Sequence, residues 1–392
     1  MRLVTGVRGY VRAWFRGGPS WLPGRGAQAL IVACLSLGAC VGVPPEQLNS
    51  YIDSLEEAEA AGSEVYLALV PALSEDGSTV DPEVAYRASL GSPVFVRGPC
   101  QGEIASYPAL LARCQAFAAV SAFDQALVQL SEGRSAQAVT PQLQSFHDSA
   151  ASLVSLVSHP QVTAVFGAAG LVFPAVRTIA EAALRTVDAA QLRAVLVQGA
   201  PQVRSLLRAL QGDVPRIYQV QYRYFEKRLD EAQSDIDRRV VGLKRLAVSH
   251  AAPPSPAIAA ERRALDARFD RIFVDAEPGF GDERLSALRP DAGASEPFDG
   301  ETAGEMSALL DDIERDVDRF RADVEAWRRF RAALAAYDQM LTNVDLAFAR
   351  LMAATGNPFT RGGAVSQALA TAFTIRDQAR EIRMQLGARP AR

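Results

Sequence analysis

The sequence predicts an all-α protein, an elongated helical bundle that carries a long antiparallel coiled-coil-like hairpin. Three observations carry that expectation. Ala, Leu, Arg, Glu and Gln dominate the chain beyond residue 40, and apolar side chains recur there at three- and four-residue spacing. Two stretches hold that spacing longer than an ordinary bundle helix needs. Strand character is confined to Val94-Phe95-Val96, inside an irregular excursion over 74–106 rich in Gly, Pro and Ser. With 392 residues, 49% of them apolar, the chain is long enough for one or two well-buried domains.

Taken in order, residues 1–39 hold five Arg (Arg2, Arg8, Arg12, Arg16, Arg25) and no acid, while the remainder holds 36 bases against 45 acids, a net of −9. A positive start, an apolar run from Ala29 to Leu37 and small residues after it have the layout of an export signal. The run is too short for a permanent transmembrane helix. It ends in Leu37-Gly38-Ala39-Cys40, which resembles the lipobox of bacterial lipoproteins. That resemblance implies that cleavage precedes Cys40 and that Cys40 carries the acyl chains, with residues 40–45 as a short tether. Val41 rather than Asp follows the Cys, which in the enteric sorting rule implies the outer membrane.

Export also governs the remaining cysteines. Cys34 departs with the signal and Cys40 is lipidated, so Cys100 and Cys114 are left together in an oxidising compartment, where a disulfide between them is expected. Two buried free thiols are the alternative.

The first mature helix is expected from Pro45 to about Leu73, with a possible interruption at Gly62, and the second from Pro108 to Glu132 with Gly133 in the C′ role. Thr140 and Pro141 read as the N-cap and first position of a third, with Leu143, Phe146, Ala150, Leu153 and Val157 on one face and Pro160 as its stop. Helical pieces over 161–187 and 189–197 follow, punctuated by Pro174 and by Gly199-Ala200-Pro201, and the bundle of 46–201 is expected to end there.

Residues 202–392 are expected to form the hairpin and a last helix. From Tyr218 the series Tyr222, Phe225, Leu229, Ala232, Ile236, Val240 and Leu243 keeps heptad-like spacing. A second series runs from Met306 through Leu310, Ile313, Val317 and Phe320 to Val324, Trp327, Leu334, Tyr337, Leu341, Val344, Phe348 and Leu351, with Arg331 as its one break. Antiparallel pairing places Leu246 near Leu309 or Leu310 and Ile236 near Phe320, within about two turns. Asp235 with Arg239, Asp311 with Arg315 and Glu325 with Arg329 stand at i, i+4 on the outer faces. Between the series lie a helix expected over 257–274 and a Gly/Pro/Asp-rich insertion over 276–300; a final helix is expected over 364–386.

Chemistry is sparse. The chain has no nucleophile elbow, no phosphate-cradling loop followed by Lys and Ser/Thr, and no His-Glu-x-x-His, and its three His are dispersed. No catalytic residue, metal or cofactor is expected. His147-Asp148 reads as an exposed solvated pair, Glu75, Asp76, Asp81 and Glu83 as turn-flanking acids rather than a calcium loop, Gly279-Phe280-Gly281 as loop punctuation, and residues 311–316 as a wet helix face. The net negative charge excludes a basic footprint for nucleic acid.

Residues 162–176 carry no charge over fifteen positions, too few to span a bilayer; a helix buried in the bundle centre is the main reading. The expectation that follows is an outer-membrane-anchored, periplasm-facing lipoprotein that binds or scaffolds envelope components. Its partners would be the bilayer, through the acyl chains on Cys40, and a protein of the envelope. The alternatives are a membrane-perturbing protein that uses 162–176 and an enzyme with an unrecognised site.

Overall fold

Helix-forming composition and apolar periodicity are realised as helices packed on one another in a computed structural model of the chain, with no strand among the described residues. The structure describes residues 45–75, 100–131, 133–157, 159–166, 170, 172–249, 300–356 and 361–387. Helix α1 is Pro45–Glu75 and runs unbroken through Gly62. After a 3₁₀ turn, Gly102–Ser106, come α2 (Pro108–Ser131), α3 (Ala136–Leu156), α4 (Pro160–Phe166) and α5 (Val172–Arg185). Helix α6 spans Ala189–Ser249, α7 Gly300–Gly356 and α8 Arg361–Gly387. The expected segments 74–106 (as far as 76–99), 257–274 and 276–299 lie outside the described residues.

Local signals account for most boundaries. Gly133 takes φ +83° just past α2, the left-handed conformation a helix C′ position favours. Helix α3 starts earlier than Thr140: Ser135 is its N-cap, its hydroxyl accepting from the Ala138 amide at 3.3 Å, and Pro141 lies inside the helix. The cap wins because starting there adds Ala136 and Val139 to the buried face of Leu143, Phe146, Ala150 and Leu153. Val157 is not on that face; it sits at the helix end and is exposed.

The largest departure is α6. Gly199-Ala200-Pro201 does not end a helix, and residues 201 and 202 are consecutive positions inside a 61-residue one, which also passes through Pro215. A buried stripe of Leu192, Leu196, Ala200, Val203, Leu207, Leu210 and Ile217 continues on both sides of Pro201, so packing outweighs the lost backbone hydrogen bond. Gly199 serves contact instead of termination: a Cβ there would meet Ile179 Cγ2 of α5 at 2.4 Å.

The main core draws on all eight helices, with Phe123 of α2 packed on Phe146 of α3 and Phe348 of α7 at centroid distances of 5.3 and 5.7 Å. Among the described residues a second, smaller core belongs to α6 and α7: Ile236, Val240, Leu243, Met306, Leu310, Ile313 and Val317 are buried, with Leu246, Leu309 and Phe320 packed against them. The two helices run antiparallel. Arg204 meets Asp345, Arg228 meets Asp323, and Arg239 meets Asp312 and Asp316. Those pairs put the register within about one turn of the expected one.

Two details of the hairpin differ from expectation. Arg331 breaks nothing, because Phe330 takes the buried place between Trp327 and Leu334 while the Arg331 guanidinium lies 6.0 Å from the Trp327 ring centre. Nor is 311–316 wholly a wet face: Asp316 is 4% exposed and turned toward Arg239.

Candidate functional site

The expected site residues sit in different places. Cys40 lies outside the described residues. Cys100, just before the 3₁₀ turn, and Cys114 of α2 are both buried, with sulfurs 2.11 Å and Cα atoms 5.6 Å apart; the Ser63 hydroxyl of α1 is 3.5 Å from the Cys114 sulfur. Within 162–176, Val162, Phe166, Phe173 and Val176 are buried, and the Phe166 and Phe173 rings meet edge to face at 5.1 Å.

The His147-Asp148 reading is corrected. Asp148 is buried, accepts from Gln144 Nε2 at 2.8 Å one turn back, and has His147 Nδ1 at 3.5 Å. The pair is therefore a local side-chain cluster on α3, not a solvated one. Among the described residues, no group of three or more His, Cys, Asp or Glu is placed to hold a metal ion. Of the acidic group around residue 80, only Glu75 falls in a described element, at the end of α1.

Two constellations escaped the periodicity. One is a buried polar knot that joins four helices. Arg113 Nε of α2 donates to Asp213 Oδ2 of α6 at 2.5 Å, both side chains almost fully buried, and the Tyr66 hydroxyl of α1 bonds that of Tyr337 of α7. Burial raises the pKa of both phenols, so they stay neutral hydrogen-bonding groups. Nearby, Gln221 Nε2 donates to the Ala68 carbonyl at 2.7 Å. A charge pair closed in by apolar side chains specifies how helices fit more than it adds stability.

The other constellation is aromatic and lies where the main core gives way to the paired helices. Trp327 of α7 is flanked by Tyr218, Tyr222 and Phe225 of α6 at 5.3, 5.9 and 5.5 Å, and by Phe330 at 6.3 Å. Tyr218 and Tyr222 stack on each other, 12° from parallel, and remain 38% and 43% exposed. They are not seam residues as expected. The inward stripe at this level is Ile217, Gln221 and Phe225, and the tyrosines stand one position round the helix. Gln221, a polar residue inside that stripe, disguised it.

On its other side α6 carries two grooves. One of about 570 Å³ is lined by bases and acids in alternation between Arg223 and Arg238; the other, about 400 Å³, lies against the last turns of α1. Among the described residues no helix is long and apolar enough to cross a membrane. Comparison with protein-family models, with curated proteins and with solved structures finds no match for this chain.

Proposed function

We propose that this chain is an outer-membrane-anchored, periplasm-facing lipoprotein whose helical body binds or scaffolds other envelope components. The observation that carries the binding role is the half-exposed pair Tyr218 and Tyr222, seated on the partly buried Trp327 with Arg331 beside it, on the two longest helices. Trp, Tyr and Arg are the side chains that dominate binding energy at protein interfaces, because rigid rings bury large areas for little conformational entropy. Helices α6 and α7 supply a stiff support for them. The anchor rests on Leu37-Gly38-Ala39-Cys40, and the closeness of the Cys100 and Cys114 sulfurs suits an oxidising compartment. Burial of Phe166 and Phe173 speaks against use of 162–176 as a membrane-inserting element.

A photo-reactive phenylalanine analogue at Tyr222, activated in intact cells, tests the binding role. A discrete adduct from position 222, absent when the probe replaces the exposed Arg185 of α5, is expected. Absence of any adduct from 222 overturns the proposed surface. Fractionation of membranes tests the anchor, with the Cys40→Ser protein expected to leave the membrane fraction that holds the wild type.

A further inference from the structure

We infer that a second copy of this chain packs on the outer face of α8, through a two-fold, antiparallel pairing of α8 with α8. Helix α8 lies on α1 and α7, and Ala372, Ile375, Ala379 and Ile382 belong to its buried stripe. About half a turn round from that stripe stand Phe373, Asp377, Arg380 and Met384, at spacings of four, three and four residues. That alternation is the spacing of a coiled-coil seam, here on the side of the helix turned away from its own chain. Phe373 is 63% exposed and Met384 62%, so both apolar ends of the seam meet water. Single exposed apolar residues are ordinary on a protein surface, but two large ones in register on one stripe form a face.

The pattern selects the occupant. Reversed about its midpoint, between 378 and 379, the stripe maps onto itself: Phe373 exchanges with Met384, Asp377 with Arg380, and the exposed Ala370 with the exposed Gly387. An antiparallel copy therefore lays each Phe373 ring on the partner's Met384, a sulfur-aromatic contact, and each Asp377 carboxylate on the partner's Arg380. A parallel copy in register would set Asp on Asp and Arg on Arg, so the charges fix the direction. A face complementary to itself is what a two-fold dimer requires. Arg380 keeps its contact with Glu57 of α1, Nε to Oε2 at 3.8 Å, because a guanidinium has five donors and the pairing uses its Nη edge. On one flank of the seam, Arg376 and Arg383 approach their like in the second copy, and Glu57 and Glu64 of α1, 2.8 and 3.9 Å from them, offset that charge. From 370 to 387 the seam runs only ~25 Å, so the dimer is one that dissociates reversibly.

The test uses the full chain with Cys40→Ser, so that acyl chains do not drive self-association. Sedimentation velocity between about 1 and about 200 µM is expected to show an equilibrium between monomer and dimer. Asp377→Arg sets Arg on Arg in both central layers and should weaken the dimer about tenfold or more; Asp377→Arg with Arg380→Asp should restore it to within about threefold of wild type. Both positions are exposed, so helicity by circular dichroism stays at the wild-type value. Disulfide trapping reads the direction. Phe373→Cys with Met384→Cys should link two chains on mild oxidation, and neither single variant should, because like positions lie ~16 Å apart along the antiparallel pair. The same separation prevents a bridge within one helix. A chain that stays monomeric at about 200 µM overturns the inference. So does a dimer that Asp377→Arg leaves intact or that the exchanged pair fails to restore, and so does trapping by a single variant or none by the double one.

Discussion

Arg204 of α6 holds Asp345 of α7 through two parallel hydrogen bonds, from Nε and Nη2, at 2.5 and 2.6 Å. Further ion pairs follow along the two helices, from Arg228 to Asp323 and from Arg239 to Asp316, always Arg on α6 and Asp on α7. Apolar seams fix which faces meet and tolerate sliding by a turn, whereas three Arg that must each meet an Asp at once, at Asp345, Asp323 and Asp316, do not. The charges therefore set the register of the hairpin.

Arg239→Ala tests that role. Asp316 is 4% exposed and has Arg239 Nε 2.7 Å away, so the substitution leaves a buried carboxylate without its main partner. A loss of about 2–4 kcal/mol in urea unfolding is expected. Arg238→Ala removes an exposed partner of Asp235 and should change stability by less than about 0.5 kcal/mol. Equal effects from the two would remove the register argument.

Gly199 makes a sharper prediction. The Cβ of Gly199→Ala would fall 2.4 Å from Ile179 Cγ2, with two further atoms of the same side chain at 3.0 and 3.1 Å. A β-branched side chain has little room to turn away, so α5 must separate from α6 at a cost of about 1–3 kcal/mol. Gly212→Ala, in the same helix with nothing within 4 Å of the new atom, should instead stabilise by about 0.5–1 kcal/mol through helix propensity. Thermal unfolding of the two variants should move in opposite directions.

Gly199 also marks where sequence reading stops. The all-α fold, the antiparallel hairpin and the ends of α2 and α8 were legible, because they depend on short-range spacing and turn chemistry. Pro201 misled because a proline rule is local, while the stripe from Leu192 to Ile217 that carries the helix through it acts over many turns. Thr140-Pro141 misled for a related reason, since Ser135 also carries a capping hydroxyl five positions earlier and only packing chooses between the two. Arg113 and Asp213 are a hundred positions apart, and no spacing announces such a pair. The exposed Tyr218 and Tyr222 were hidden by Gln221, whose polarity made the true inward stripe look broken.

The α1–α2 seam predicts a dependence of stability on pH. Asp124 is fully buried, its Oδ2 accepts from the Tyr51 hydroxyl at 2.6 Å and its Oδ1 has no hydrogen-bond partner. Burial pushes its pKa up to about 7, against the pull of the Tyr51 bond; burial likewise pushes Glu59, on the same helix as Tyr51, up to about 7. Unfolded, both titrate near about 4. A carboxyl raised in the folded state binds more protons there, so its contribution is complete below pH ~4, is lost as pH rises from ~4 to ~7, and is flat above. Denaturant unfolding should therefore give a stability that falls between pH 5.5 and 7.5, with Asp124 accounting for on the order of 2 kcal/mol. Asp124→Asn keeps an acceptor for Tyr51 and removes the titration. Its stability profile should be flatter by that amount, and an unchanged slope would show that Asp124 is ionised in the fold throughout.

Phe166 separates the scaffold reading from the membrane-perturbing one. Its ring is 5% exposed and packs edge to face on Phe173, which is itself fully buried between α5 and the rest of the core. Phe166→Asp places a carboxylate there with no cation provided, and the group must either stay charged in apolar surroundings or take up a proton. Adding the lost ring volume, the expected cost is about 3–5 kcal/mol, read as a large drop in unfolding temperature or as failure to accumulate. Phe166→Leu keeps an apolar side chain and should fold with a loss of about 1–2 kcal/mol, which leaves a soluble protein to assay. Neither the wild-type chain with Cys40→Ser nor the Phe166→Leu protein should release dye from liposomes. Were Phe166→Asp to fold as well as wild type and to abolish dye release that the wild type causes, residues 162–176 would belong at a membrane surface, and the scaffold reading would give way to membrane perturbation.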